Sequence, residues 1–179
     1  MPSRRRFIIQ SSQAAAAIAL IPEALHSEFM RQGIDPGEVS YKQDPLEYAY
    51  NALEPSIDAL TMDIHYNKHA AAYTKNMSDA LLAEKVDTTA TSITALLSKI
   101  STYSTKMRNN AGGHYNHELF WKSLRAPRTF NMPDDKLMKM IQRDFGSLDS
   151  FQTQFTEAAK TRFGSGWAWL VSEIGRAHV

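Results

Sequence analysis

Gly112-Gly113-His114-Tyr115-Asn116-His117-Glu118-Leu119-Phe120-Trp121 is the stretch on which the reading of this chain turns. An earlier run answers it: Met62-Asp63-Ile64-His65-Tyr66-Asn67-Lys68-His69-Ala70-Ala71-Ala72-Tyr73. In both, histidines recur at helical spacing, so each pair shares one face of a helix. Small and aromatic residues fill the positions between them, the composition of a metal pocket built between two helices. A histidine on an apolar stripe is more often a hydrogen-bonded core residue than a ligand. Two such runs on the two arms of one hairpin strengthen the metal reading. A site of imidazole and carboxylate suits manganese or iron better than structural zinc.

Working outward, Pro55 and Ser56 are expected to open the first helix, since proline suits a first turn. Met62, His65, Tyr66, His69, Tyr73, Met77 and Leu81 then form one inward stripe, with Lys68, Lys75 and Asp79 opposite. Residues 87–91 read as a polar turn, and Ile93, Leu96, Leu97 and Ile100 begin a second helix. Paired glycines at 112 and 113 would normally end it. Periodicity nevertheless resumes beyond them, so either the helix breaks and restarts or small residues are needed for close approach. Two helices joined in this way make an antiparallel hairpin. Pro127 and Pro133 mark a boundary. A short helix is expected over residues 134–143. Ser147 caps another running to 162, with Leu148, Phe151, Phe155 and Ala159 inward. Trp167-Ala168-Trp169-Leu170-Val171 reads as a first β-strand, for which the sequence offers no partner.

Composition sets the outer limits. With 43% apolar and 22% charged residues over 179 positions the chain is globular. A net charge of +1 gives no reason to expect nucleic acid or an acidic membrane as a partner. There is no cysteine, so any metal must be held by nitrogen and oxygen. Ser3-Arg4-Arg5-Arg6-Phe7 before a short alanine-rich stretch resembles a twin-arginine export signal over residues 1–26. Export, to a periplasm, is therefore expected, with the cytoplasm as the alternative. Residues 32–43, with Gly33, Pro36 and Gly37, read as linker sequence, and the linker between signal and domain is set at 27–40.

Four stretches together resemble the iron/manganese superoxide dismutases in order and spacing. They are Leu46-Glu47-Tyr48-Ala49-Tyr50-Asn51-Ala52-Leu53-Glu54-Pro55 and residues 65–73, 109–121 and 163–170. The resemblance implies an α+β fold: an N-terminal antiparallel helical hairpin (41–125), followed by a mixed α/β domain (133–172). Of that second domain only the first helices and first strand are expected in this chain. It also implies that the second helix continues through Gly112-Gly113. Residue by residue, the resemblance makes His65 and His117 metal ligands. It places His69 and Tyr73 at the mouth of a substrate funnel as catalytic groups that do not bind the metal directly. His114 becomes a nearby non-ligand, and Trp121, Trp167 and Trp169 fall on the aromatic pocket, although a plain core role is favoured for Trp169. Gly113 stands where manganese-type members keep glycine and iron-type members place glutamine, so manganese is favoured and iron is the alternative. Glu47 stands where proline is common, and Ala70 where histidine often sits.

The function so implied for the full-length form is conversion of superoxide to oxygen and hydrogen peroxide by a redox-cycling metal, with Tyr73 in the path of proton delivery; the truncated chain alone is expected to be inactive. A homodimer or higher homo-oligomer is implied for the full-length form. The family's other two ligands lie in an Asp-x-Trp-Glu-His segment that this sequence lacks. Residues 173–179 do not resemble the family's continuation and are expected to be a non-native tail. The alternative to a dismutase is a non-catalytic helical fragment with weak or no metal binding.

Overall fold

The computed structural model describes residues 39–129, 131–163, 166–173 and 176–178. The expected export signal and most of the linker lie outside the described residues. The chain divides into two compact units, Met1–Pro127 and Arg128–Val179.

The first unit is a helical hairpin. Its first arm runs through α1 (Ala59–Ile64), a π-helical segment (His65–Ala70) and α2 (Ala71–Ala83). The arm begins after Asp58, not at Pro55 as the sequence led us to expect. Asp58 has extended backbone, and its carboxylate accepts the Thr61 N–H at 2.9 Å, satisfying a donor that the first turn leaves open. The return path is interrupted well before the glycines. α3 (Ile93–Ser98) is capped by Ser92, a short 3-10 turn follows (Ile100–Thr102), and α4 (Thr105–Ser123) then runs unbroken through Gly112 and Gly113. Ser104 caps α4 by accepting the Met107 N–H at 3.1 Å. Its own hydroxyl and N–H donate to the Glu84 carboxylate at 2.6 and 3.1 Å, which ties the end of α2 to the start of α4.

Two apolar clusters hold the arms together. Met77, Ala80 and Leu81 of α2 pack with Ile93 and Leu96 of α3, Met107 and Ala111 of α4, and Val39. At the other end Met62, Ala70, Leu53 and Trp121 form the second cluster. Each buried Met, Leu or Ile contributes roughly 1.5–3 kcal/mol by leaving water. The stripe expected on the first arm is therefore inward at Met62, Met77 and Leu81, while His65, Tyr66 and Tyr73 are half-buried and His69 is exposed. Residues 39–48 strap the hairpin. Tyr41 donates to the Thr91 carbonyl, Gln43 to that of Tyr66, Tyr66 to that of Asp44 and Tyr48 to that of Trp121.

In the second unit α5 (Asp135–Phe145) and α6 (Leu148–Lys160) form a shorter pair, capped by Asp134 and Ser147. Gly146 between them has φ +82°, a left-handed turn that glycine adopts without strain. Phe145, Phe151 and Phe155 stack in sequence. Ala158, not Ala159, continues this face: Ala159 is exposed, because the inward stripe steps by three after Phe155. The strand also differs from expectation. Residues 167–170 have no regular structure, and β1 (Val171–Glu173) pairs antiparallel with β2 (Arg176–His178). The partner strand missing from the sequence reading is thus the next segment of chain, which meets the ladder's need for paired backbone groups. Trp169, expected in a core, is 40% exposed. No helix of the described residues is long and apolar enough to cross a membrane.

Replacing Ser104 by Ala should lower unfolding stability by about 1–2 kcal/mol, read from urea denaturation, because it removes the α4 cap and the clasp to Glu84 together. An unchanged midpoint would show that neither bond contributes.

Candidate metal centre

The histidines sit midway along the hairpin, between the two apolar clusters. His65 Nε2 lies 3.2 Å from His117 Nε2. Ligand nitrogens of His65, His69 and His117 all fall within 4.8 Å of one another. Ring centroids of His69 lie 5.4 Å from His65 and 5.2 Å from His117. Tyr73 closes the group, 5.2 Å from both His69 and His117. Phe120 and Trp121 wall the His65 side, at 5.9 and 5.0 Å.

Local chain geometry explains the convergence. In an α-helix, positions four apart drift by about 40° around the axis, so three successive positions spread over a broad arc. The π-helical segment His65–Ala70 takes in an extra residue per turn, marked by the Ala71 N–H reaching the Tyr66 carbonyl. That takes back part of the drift and keeps His65, His69 and Tyr73 aimed at one point on α4. On the α4 side, Gly113 makes room. A β-carbon there would stand 2.4 Å from Tyr73 Cδ1 and 2.6 Å from Cε1, so the ring occupies space that any other residue would fill.

Gly113 acts a second time through its carbonyl, which lies 2.6 Å from His117 Nδ1. A carbonyl only accepts, so Nδ1 carries the hydrogen and Nε2 of neutral His117 presents a lone pair toward His65. Burial holds the His117 imidazole neutral and pushes its pKa down to about 4; the Gly113 bond opposes this, and His65 and His69 add to it. Burial also lowers His65, with His69 contributing. Buried neutral imidazoles with one nitrogen fixed as donor are what a metal ligand requires. The imidazoles supply the nitrogen part of the mixed nitrogen and oxygen sphere that manganese or iron takes.

The sequence-derived residues sort clearly. His65 and His117, read as ligands, face each other, and Tyr73 and His69, read as catalytic, lie against them. His69 comes closer to the ligand nitrogens than the funnel-mouth reading implied. His114 is turned away: it is buried, its Nε2 is 2.8 Å from the Ser40 carbonyl and its Nδ1 is 2.9 Å from Thr74 Oγ1, so it pins the strap. Trp121 borders the site, while Trp167 and Trp169 belong to the second unit. Glu118 was missed. Buried to 2% exposure, it receives the Asp44 N–H on Oε2 at 3.1 Å. Its signal was present, since Met107, Ala111, His114, Glu118 and Trp121 make one continuous stripe.

Residues 40–125 match the model of the iron/manganese superoxide dismutase alpha-hairpin domain, and residues 133–178 match that of the family's C-terminal domain. The second match includes most of the segment expected above to be a foreign tail. A superoxide dismutase designated Mn from Acinetobacter baylyi is 50% identical over 131 residues, covering 73% of this chain and 57% of that protein. One designated Mn/Fe from Methylomonas sp. strain J is 47% identical over 135 residues, covering 73% and 65%. One designated Fe from Raoultella planticola is 44% identical over 135 residues, covering 74% and 79%. The chain belongs to the iron/manganese superoxide dismutase family. It spans little more than half the length of the Acinetobacter relative.

Two predictions follow from the site's packing and charge. Gly113→Ala should destabilise the fold by about 1–3 kcal/mol by overpacking against Tyr73. Gly112→Ala, where an added β-carbon meets nothing within 4 Å, should instead be neutral or stabilising by up to about 1 kcal/mol. Urea denaturation of the two variants distinguishes them, and equal effects would refute the close-approach argument.

The second concerns pH. An unfolded imidazole takes up its proton near 6.5, whereas folded His117 resists protonation to about 4. Between those values the unfolded chain binds the extra proton. The stability of the metal-free protein should therefore be full above about pH 6.5 and fall as pH drops toward 4, by up to about 3 kcal/mol from this residue. Burial lowers His114 too, which adds in the same direction. Denaturant midpoints across this range should lose part of their slope in His117→Asn.

Proposed function

We propose that the hairpin carries part of the metal site of a superoxide dismutase. The observation that carries the reading is the meeting of His65 and His117 through their Nε2 atoms, with the His117 tautomer fixed by Gly113. His65 and His117 would hold the ion, and further ligands would come from the rest of the whole protein. Manganese or iron, when bound, supplies one-electron redox chemistry, by which two superoxide ions and two protons give one dioxygen and one hydrogen peroxide. The chain's own residues shape that reaction. Phe120 and Trp121 exclude water from the His65 side. Tyr73 presents its phenol next to His117, where Oη can hand a proton to reduced substrate, and exposed His69 stands beside it on the approach from solvent.

Manganese is the favoured ion. The support is Gly113: Tyr73 fills the space that a larger side chain at this position would need. Relatives designated Mn, Mn/Fe and Fe all match, so iron is the second choice. The twin-arginine-like start supports export of the folded protein to a periplasm. Assembly as a homodimer or larger homo-oligomer follows the family pattern.

In the whole protein His117→Ala should abolish metal retention, measured by elemental analysis, and superoxide consumption with it. Retained metal in the variant would refute the ligand assignment. A wild-type chain that binds neither manganese nor iron would favour the non-catalytic fragment.

A further inference from the structure

Trp121 stands in ring contact with both assigned ligands, 5.0 Å from His65 and 5.9 Å from His117. Tyr66 follows, its ring 5.8 Å from that of Trp121, and Tyr50 lies 6.3 Å beyond Tyr66. These separations are those of touching aromatic rings. The line ends at a surface groove of about 250 Å³ lined by Pro45, Leu46, Tyr48, Tyr50 and Tyr66. Three oxidisable rings therefore join the imidazole cluster to solvent.

The polar partners suit passage of an electron. Trp121 is buried, and its Nε1–H has no acceptor. An indole that loses an electron there has no base to take its proton, so the deficit is not fixed at Trp121 and can be filled from Tyr66. The Tyr66 hydroxyl donates to the Asp44 carbonyl at 2.7 Å, which takes the phenol proton while the ring is oxidised and returns it when Tyr50 refills the deficit. Tyr50 differs. Its oxygen accepts from Asn67 Nδ2 at 2.8 Å, and its ring lines the groove, where water takes the phenol proton. The chain has no cysteine, so no thiol competes. Met62, in the same cluster as Trp121, is the competing sink.

We propose that Trp121, Tyr66 and Tyr50 form an electron relay that drains oxidising equivalents from the metal centre to the groove and so protects the ligand histidines. The relay rests on the dismutase reading, because the oxidant is that reaction's product, hydrogen peroxide. The peroxide O–O bond breaks and takes two electrons and two protons, giving two waters. One electron would be supplied by the one-electron redox chemistry of an ion held by His65 and His117. The other comes from Tyr50 by way of Tyr66 and Trp121. Tyr50 releases its phenol proton to water, and solvent supplies the second proton. A soluble one-electron reductant such as ascorbate, with a proton, then restores Tyr50.

The test uses the full chain loaded with iron(II), its metal content measured, then mixed with hydrogen peroxide. Rapid freezing for electron paramagnetic resonance and peptide mass spectrometry read the products. The expected result is a tyrosyl radical and oxidised Tyr50. In Tyr66→Phe, which keeps a ring in place, Tyr50 oxidation should fall to the level of the metal-free protein while oxidation of Trp121, His65 and His117 rises. In Tyr50→Phe the radical should move to Tyr66. Equal marking of Tyr48 and Tyr50 in wild type and Tyr66→Phe would show a diffusing oxidant and overturn the relay, as would oxidation that stops at Met62. A whole protein that takes up neither iron nor manganese overturns both the dismutase reading and the relay. One that binds iron and consumes superoxide but leaves Tyr50 unmarked overturns the relay alone.

Discussion

The close approach of the Tyr73 ring to the backbone of Gly113 is the contact on which the rest of the centre depends. With no β-carbon at 113, α2 and α4 can meet with an aromatic ring directly against a helix backbone. That closeness brings the first arm's imidazoles within reach of His117. The same residue's carbonyl then fixes which nitrogen of His117 faces them. One glycine thus sets the spacing of the arms and the chemistry of the ligand between them. A larger residue would act on both at once: the ring would have to move, and the tilt of the helix that aims His117 would move with it.

This explains why the histidines sit where they do along the hairpin. Apolar clusters lie to either side, one around Met77 and Met107, the other around Met62 and Trp121. They anchor the arms so that the polar stretch between them need not supply its own cohesion. The π-helical segment is tolerable for the same reason, since its poorer hydrogen-bond geometry is offset by flanking α-helical turns that are well packed. Burial in such a setting disfavours the imidazolium form, which keeps the lone pairs available for a cation.

Much of this was legible in the residues. The stripe through Met62, Met77 and Leu81 announced the first arm, and the two histidine runs announced the site. What propensity misread was the glycine pair. A helix scale records the backbone entropy cost of glycine but not the tertiary contact that requires it, so the break that propensity suggests at 112–113 lies instead at residues 99–104, and α4 continues through the glycines as the family resemblance implied. The helix start at Asp58 and the step from Phe155 to Ala158 were missed for a similar reason: a side-chain cap or a single change of stride decides them. The strand was misplaced because its partner, residues 176–178, reads as a tail in the sequence, and the apolar run 167–171 does not mark where pairing begins.

Glu118 shows the same balance at its sharpest. A carboxylate in a core stripe beside a ligand histidine is costly unless its oxygens are satisfied. Only Oε2 has a partner, the Asp44 N–H, while Oε1 has none. Burial pushes the carboxyl upward, against the Asp44 N–H bond that draws it down, with the Asp44 carboxylate adding to the rise. A merely stable hairpin would carry an apolar residue at this position. Its placement makes sense through the strap: Asp44 receives the Tyr66 hydroxyl on its carbonyl and gives its N–H to Glu118, so this one residue joins the two arms from outside. Tyr66 follows His65 directly, and Glu118 follows His117 directly. The strap therefore grips each arm one residue past a ligand, and the acid's desolvation cost goes into holding the two imidazoles in register.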